Sequence, residues 1–484
     1  MPSSKTLIVF LLALFVGATA NSAEDLPDFG DSAGSVISPE QERRLGEAFV
    51  RDLRSKAVIV DDPELEEYIQ SLGIKLATQA DSHDHPLSFF LVDSPVLNAF
   101  AVPGGFIGVH TGLIQQTQSE SELAGVLAHE ISHVTQRHSA RMFEAASKLS
   151  IPTAVGMLGA ILLGAVSPEA GRAAIAAVAA GQEQYALNFT RANEQEADRI
   201  GIQVMARAGF NPHGMPDFFE RMQTANRYSD PANIPEFLRT HPVTTNRIAE
   251  SRERADQFAL RKQEENEDYH FMRAKVRVLG TKEPREAVQF YADTLRSGQY
   301  QNEAAARYGY ALALTRAGEY GKARLQLQRL LQTASENVHF LLALARLDVA
   351  EKDYASALQV YERTLALYPD HRAAVLGRVE ALLANDQPKE ARTVLRDYMS
   401  THSSDTRSYQ LLAEAEGQSG SMIESHIAQA EYYYGSGELG LAIEQLKLAK
   451  NEPGVTYYQN ERVQARLDQF QKEFDEEKKE KKPF

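Results

Sequence analysis

The chain of 484 residues contains no cysteine and no tryptophan. Without cysteine there are no disulfides and no thiolate chemistry, so a metal site here must be built from His, Asp or Glu. Positive charge is also in deficit: 51 Lys and Arg stand against 66 Asp and Glu, a formal net charge of −15. That balance, with no basic stripe to reverse it, argues against a nucleic-acid partner. Long apolar runs are missing too. The run from Leu7 to Val16 is well short of the roughly 20 residues that span a bilayer. Lys5 precedes it and Gly17-Ala18-Thr19-Ala20-Asn21-Ser22-Ala23 follows, which reads as a secretory signal peptide cleaved after Ala20 or Ala23. With no Cys at the exit, a lipid anchor there is excluded, and the mature chain is expected to be exported and soluble.

What is present is an ordinary folded composition, 43% hydrophobic and 24% charged, at a length that implies more than one domain. Residues 24–37 form a polar lead-in. Helix starts follow at Ser38-Pro39-Glu40-Gln41 and at Asp62-Pro63-Glu64, each with a capping residue ahead of a proline. Leu87 to Val92 is strand-like, and Asn98 to Ile114 reads as strand, Pro103-Gly104-Gly105 turn, strand. Such a hairpin has two uses: a structural one, or an edge strand that holds an extended peptide by main-chain hydrogen bonds. His110 within it fits a packing role better than a ligand role.

The central stretch is Leu123 to Val134, where Leu123, Leu127, Ile131 and Val134 recur at helical spacing. It carries His129-Glu130-x-x-His133. Residues four apart lie one above the other on a helix, so His129 and His133 can hold one Zn2+ together. Glu130 is turned about 100° from His129, towards the open side of the metal, where it can act as general base on an attacking water. If the helix runs on past Arg141, His138 falls off the ligand face and reads either as a support behind the ligands or as a residue with no role in the site. Ile151 to Ala180 is rich in small and apolar residues but broken by Pro152, several glycines and Ser167-Pro168. A buried helix pair, a lid and a membrane or client contact all remain open for it.

In Asn193-Glu194-Gln195-Glu196-Ala197-Asp198, Glu194 and Asp198 share a helix face. Glu194 completes a His2Glu zinc set, with Asp198 behind it orienting a ligand histidine. Glu196 lies on another face and is expected in solvent. Further on, His241 precedes Pro242 in a loop and can either stabilise the oxyanion or fill the open metal position. Arg247 can anchor that loop through a carboxylate.

These blocks together, with Asn98-Ala99-Phe100-Ala101-x-Pro103-Gly104-Gly105 and Thr240-His241-Pro242-x-x-x-x-Arg247-Ile248, resemble the zinc metalloprotease family of HtpX and the CAAX prenyl proteases. The resemblance covers roughly Ser38 to Arg254. It implies one Zn2+ per chain at His129, His133 and Glu194, with Glu130 as base and Asp198 supporting a ligand histidine. The transmembrane helices of those relatives have no counterpart here.

The second half repeats. Gly318-Glu319-Tyr320-Gly321-Lys322-Ala323 returns as Lys352-Asp353-Tyr354-Ala355-Ser356-Ala357, and Leu327 as Tyr361. A step of about 34 residues is the tetratricopeptide period. Ser436 to Ala442 is a further copy, out of phase, and about four units are expected. The expected architecture is therefore mainly α. A gluzincin-type metallopeptidase domain with a small sheet (38–265) precedes a tetratricopeptide solenoid (266–470) and a charged tail (471–484). An exported peptidase of this type fused to such repeats resembles a family that serves outer-membrane β-barrel assembly in the Gram-negative periplasm. That resemblance implies misassembled outer-membrane proteins as substrates, a chaperone-like role, and the barrel assembly machinery as a partner of the repeats. A chaperone or adaptor with a latent, self-inhibited zinc site is the competing expectation.

Overall fold

The computed structural model describes residues 38–56, 59–80, 86–147, 183–227, 236–259, 266–402 and 405–480. The signal peptide, the lead-in through residue 37, the 151–180 segment and residues 481–484 lie outside them.

Helix α1 (Pro39–Ser55) opens with a complete capping box. The Ser38 side chain accepts from the Gln41 backbone, and the Gln41 side chain accepts from that of Ser38. In α2 (Pro63–Ala77) the Asp62 carboxylate accepts from Leu65 N–H. Strands β1 (Ser88–Val92), β2 (Ala99–Val102) and β3 (Phe106–His110) form one sheet in the order β1-β3-β2. β2 and β3 are the antiparallel hairpin, and β1 joins β3 in parallel, so β2 is an edge. Gly104 turns the hairpin at φ +82°, and a Cβ there would strike the Arg43 backbone 2.4 Å away. Only glycine lets α1 close over the turn.

After the short α3 (Thr111–Gln116), Ser119 caps the central helix α4 (Glu120–Thr135). Leu123, Leu127 and Ile131 are fully buried against α2, α6 (Glu183–Arg207) and α7 (Gly214–Arg227). The sequence reading carried α4 on past Arg141, but the helix stops at Thr135. Arg137 takes a left-handed φ of 49°, and a separate helix α5 (His138–Ser147) starts beside it. The short α8 (Glu236–Thr240) and α9 (Thr245–Ala255) complete this half.

The solenoid is larger than the expected four units. Twelve helices lie among the described residues, in six pairs: α10 (Glu267–Gly280) and α11 (Pro284–Ser297), α12 (Glu303–Arg316) and α13 (Tyr320–Thr333), α14 (Val338–Ala350) and α15 (Tyr354–Leu367), α16 (Arg372–Ala384) and α17 (Pro388–Thr401), α18 (Thr406–Gln418) and α19 (Met422–Gly435), α20 (Leu439–Asn451) and α21 (Tyr457–Glu480). Residues 471–480 of the charged tail belong to α21. Three-residue turns follow α12, α14, α16, α18 and α19, each with a left-handed central residue: Gly318, Lys352, Asp386, Gly420 and Gly437. The last two turns flank one helix, α19, and this is why Ser436–Ala442 looked like a repeat out of phase.

The two halves share a core. A single buried cluster runs from Leu65 in α2 to Leu347 in α14. Polar contacts extend it. Glu64 in α2 meets Lys275, His339 and Arg346, Arg372 bridges Glu66 and Asp405, and Arg54 reaches Thr406. The first helices of four of the pairs thus pack along α1 and α2.

Candidate metal centre

The fold brings His129, His133, Glu194 and His241 together. The two histidines stand one turn apart on α4, with Nε2 atoms 3.1 Å apart. Glu194 comes from α6, its carboxylate oxygens 3.4 Å from each Nε2. His241 arrives from the loop between α8 and α9, with Nδ1 3.2 Å from His129 Nε2 and 3.0 Å from Glu194. Four donors, each about 2.0–2.1 Å from a central zinc in a tetrahedron, lie roughly 3.3–3.4 Å apart, which fits these separations.

The donor chemistry fits a cation as well. His129 Nδ1 lies 3.0 Å from Asp198, which fixes its proton there and leaves the Nε2 lone pair inward. Acceptors crowded on one point need positive charge between them. Burial opposes charging His129, yet Asp198 and Glu194 raise it to about 10. Burial likewise pushes Glu194 up, but His241, His129 and His133 hold it well below the usual carboxylate range. Burial, with the neighbouring His129 and His241 and against Glu194, takes His133 down to about 3, so its ring stays neutral and able to ligate.

Glu130 lies next to this set and points into it. Its Oε1 is buried without a hydrogen-bond partner among the described residues and is 3.4 Å from His241 Nε2. Burial raises its pKa, and a backbone hydrogen bond from Ala101 on the edge strand β2 ties it to the sheet. Asp198 is gripped from the other side by Arg247 on α9, through Nε at 2.7 Å and Nη2 at 2.8 Å. Arg247 Nη1 also reaches Glu194 at 2.9 Å and the Pro242 carbonyl at 2.9 Å. This arginine therefore joins the loop that carries His241 to both carboxylates of α6. The loop is held at its other end too. His241 N–H donates to Phe237 O at 2.8 Å, the two rings lie 5.1 Å apart, and Phe237 N–H donates to Leu97 O at 3.2 Å.

The end of α4 and the surroundings of Glu196 differ from the sequence reading, while His138 lies off the ligand face as expected. Because α4 ends at Thr135, His138 turns back to His133, with the two Nδ1 atoms 2.8 Å apart. Glu196 is only partly exposed and is paired: it sits 3.1 Å from His138 Nε2 and 2.7 Å from Arg141. The break at Arg137 carries no glycine or proline to announce it. His110 stays outside the site, buried edge-on against Phe100 with its pKa lowered by burial to about 4.

Residues 63–255 match the model of Peptidase family M48, and residues 348–415 match a tetratricopeptide repeat model. The chain belongs to the M48 metallopeptidases that carry tetratricopeptide repeats. Its full-length relatives include the beta-barrel assembly-enhancing protease of Escherichia coli (strain K12), 38% identical over 471 residues covering 96% of each chain. The putative beta-barrel assembly-enhancing protease of Vibrio cholerae is 35% identical over 97% of each. Human mitochondrial metalloendopeptidase OMA1 is 30% identical over 33% of this chain and 30% of its own. The protein is thus a metallopeptidase with a metal cofactor, and its repeats imply protein substrates or partners. No helix among the described residues is long and apolar enough to cross a membrane.

Proposed function

We propose that the chain is a zinc endopeptidase of the periplasm that cleaves misassembled outer-membrane β-barrel proteins and supports their assembly, with the solenoid contacting the barrel assembly machinery. The peptidase domain takes residues 38–265 and the repeats 266–470. The observation that carries the catalytic part is the convergence of His129, His133 and Glu194 beside the buried, unpartnered Glu130 oxygen. Zinc held by His129, His133 and Glu194 would supply Lewis acidity for attack of water on a peptide carbonyl. Glu130, its pKa raised by burial, takes the proton from that water and returns it to the leaving amine. Asp198 fixes the His129 tautomer, and Arg247 fixes Asp198. The outward-facing backbone of β2, beside Glu130, is placed to pair with an extended substrate.

A second reading concerns the resting state. The Nδ1 of His241 already stands among the ligand atoms, which favours a site closed by its own loop until a client displaces it. The test is cleavage of an unfolded β-barrel protein by purified variants, with zinc content measured alongside. Glu130→Gln should retain zinc and lose cleavage by a factor of about 10²–10⁴; undiminished cleavage sinks the mechanism. His241→Ala should raise basal cleavage if the loop is inhibitory, whereas a fall assigns His241 to oxyanion stabilisation.

A further inference from the structure

We infer that His138, backed by Glu196, is a positioning residue that holds the ring of His133 in the orientation the metal requires. The inference rests on the metal reading of the site. His129 has Asp198 as its direct carboxylate support, but among the described residues no carboxylate is paired with the Nδ1 of His133. The atom that does is His138 Nδ1, at 2.8 Å. If His133 turns its Nε2 lone pair towards Glu194 and His129, its proton must sit on Nδ1. That N–H then donates to the His138 Nδ1 lone pair. His138 in turn carries its proton on Nε2 and donates it to Glu196, 3.1 Å away. Glu196 is neutralised by Arg141 at 2.7 Å, with Arg199 further off at 3.9 Å. Every donor in the chain meets one acceptor, so the relay has a single consistent proton arrangement.

A strained backbone residue makes this contact possible. Arg137, a non-glycine residue, adopts a left-handed φ of 49°. Its side chain is held by Glu42 of α1 at 2.5 Å. An unbroken helix would carry His138 away from His133; the break returns it. His138 is 3% exposed, and a buried histidine with both nitrogens engaged is not a surface accident.

The test is the equilibrium zinc affinity of the full chain, measured by competition with a chromophoric chelator. His138→Ala should weaken zinc binding about 10- to 100-fold, the usual cost of removing a group that orients a ligand histidine. Glu196→Gln should weaken it less, in the same direction. His138→Asn should recover part of the loss, because its amide oxygen can accept from His133. The effects of His138→Ala and Glu196→Gln should not add, since both cut one chain. Should His138→Ala fail to fold, Glu196→Gln decides alone, because Glu196 is partly exposed. Zinc affinity within twofold of the parent in the variants that fold overturns the relay while leaving the metal reading intact. A parent chain that binds no zinc overturns both.

Discussion

Glu64 and Glu194 are both almost fully buried, and both carboxyls are held well below their usual pKa by neighbours that outweigh desolvation. Their surroundings differ in kind. Glu64 is met by Arg346, Lys275 and His339, groups that bring protons and positive charge with them. Glu194 is met by three imidazoles, with Arg247 already shared with Asp198. The first carboxylate is satisfied by the chain itself and works as a fastener between α2 and the solenoid. The second leaves lone pairs facing one another and is completed from outside. Counting buried acids does not find a metal site; asking whether their neighbours are donors or acceptors does.

Exchanging the two roles by mutation gives the largest expected effects. Glu64→Gln takes away the carboxylate that Arg346 meets, leaves Lys275 with Asp62 and His339 with Asp268, and should cost about 3 kcal/mol in denaturant unfolding, with zinc still bound by the folded fraction. Glu194→Gln should do the reverse, emptying the site by metal analysis with a smaller loss of stability. Equal metal loss in both variants would break the contrast. pH gives a smaller effect. Burial disfavours charge on His339, but Asp268 and Glu64 raise it to about 9. A raised histidine contributes stability in full below its unfolded value near 6.5, and that contribution is lost as pH rises through about 9. Unfolding free energy should therefore decline across that interval, and His339→Gln should flatten the decline. The smallest effect belongs to the rim of the same interface. Arg372 bridges Glu66 and Asp405, both less deeply buried than Glu64, so Arg372→Ala should cost less than the loss of Glu64, about 1–2 kcal/mol, read as a drop in Tm.

The sequence made one of these two clusters visible and hid the other. His129, Glu130 and His133 are adjacent on one helix, and Glu194 and Asp198 on another, so local spacing was enough to propose them. His241 and Arg247 were legible because a His-Pro loop followed by an arginine has few uses beside such a site. Glu64 looked like the favourable acid in the first turn of a capped helix, which it also is. Its partners lie 211 to 282 residues away, and nothing local points to them. Glu196 was misplaced for another reason. Its partner His138 depends on a helix break at Arg137 that no breaker residue marks. The repeat period was legible from Gly318 and Lys352, but the number of pairs was not, because Asp386 and Gly420 sit in turns with little else in common.

The five alike turns have a consequence for how such a chain can lengthen. Because the turn before α19 and the turn after it have the same backbone form, α19 is both the second member of one pair and a fit opening member for the next. A solenoid with this joint can be extended by a single helix rather than a full unit. Each such addition swaps the face that the following helices turn towards α1 and α2. The joint after α19 is also a contact: the Gly437 turn lies directly against the Arg51 carbonyl of α1, 2.7 Å from where a Cβ would sit. A single added helix would therefore change both the reach of the arm and the side it presents, whereas an added pair would change the reach alone.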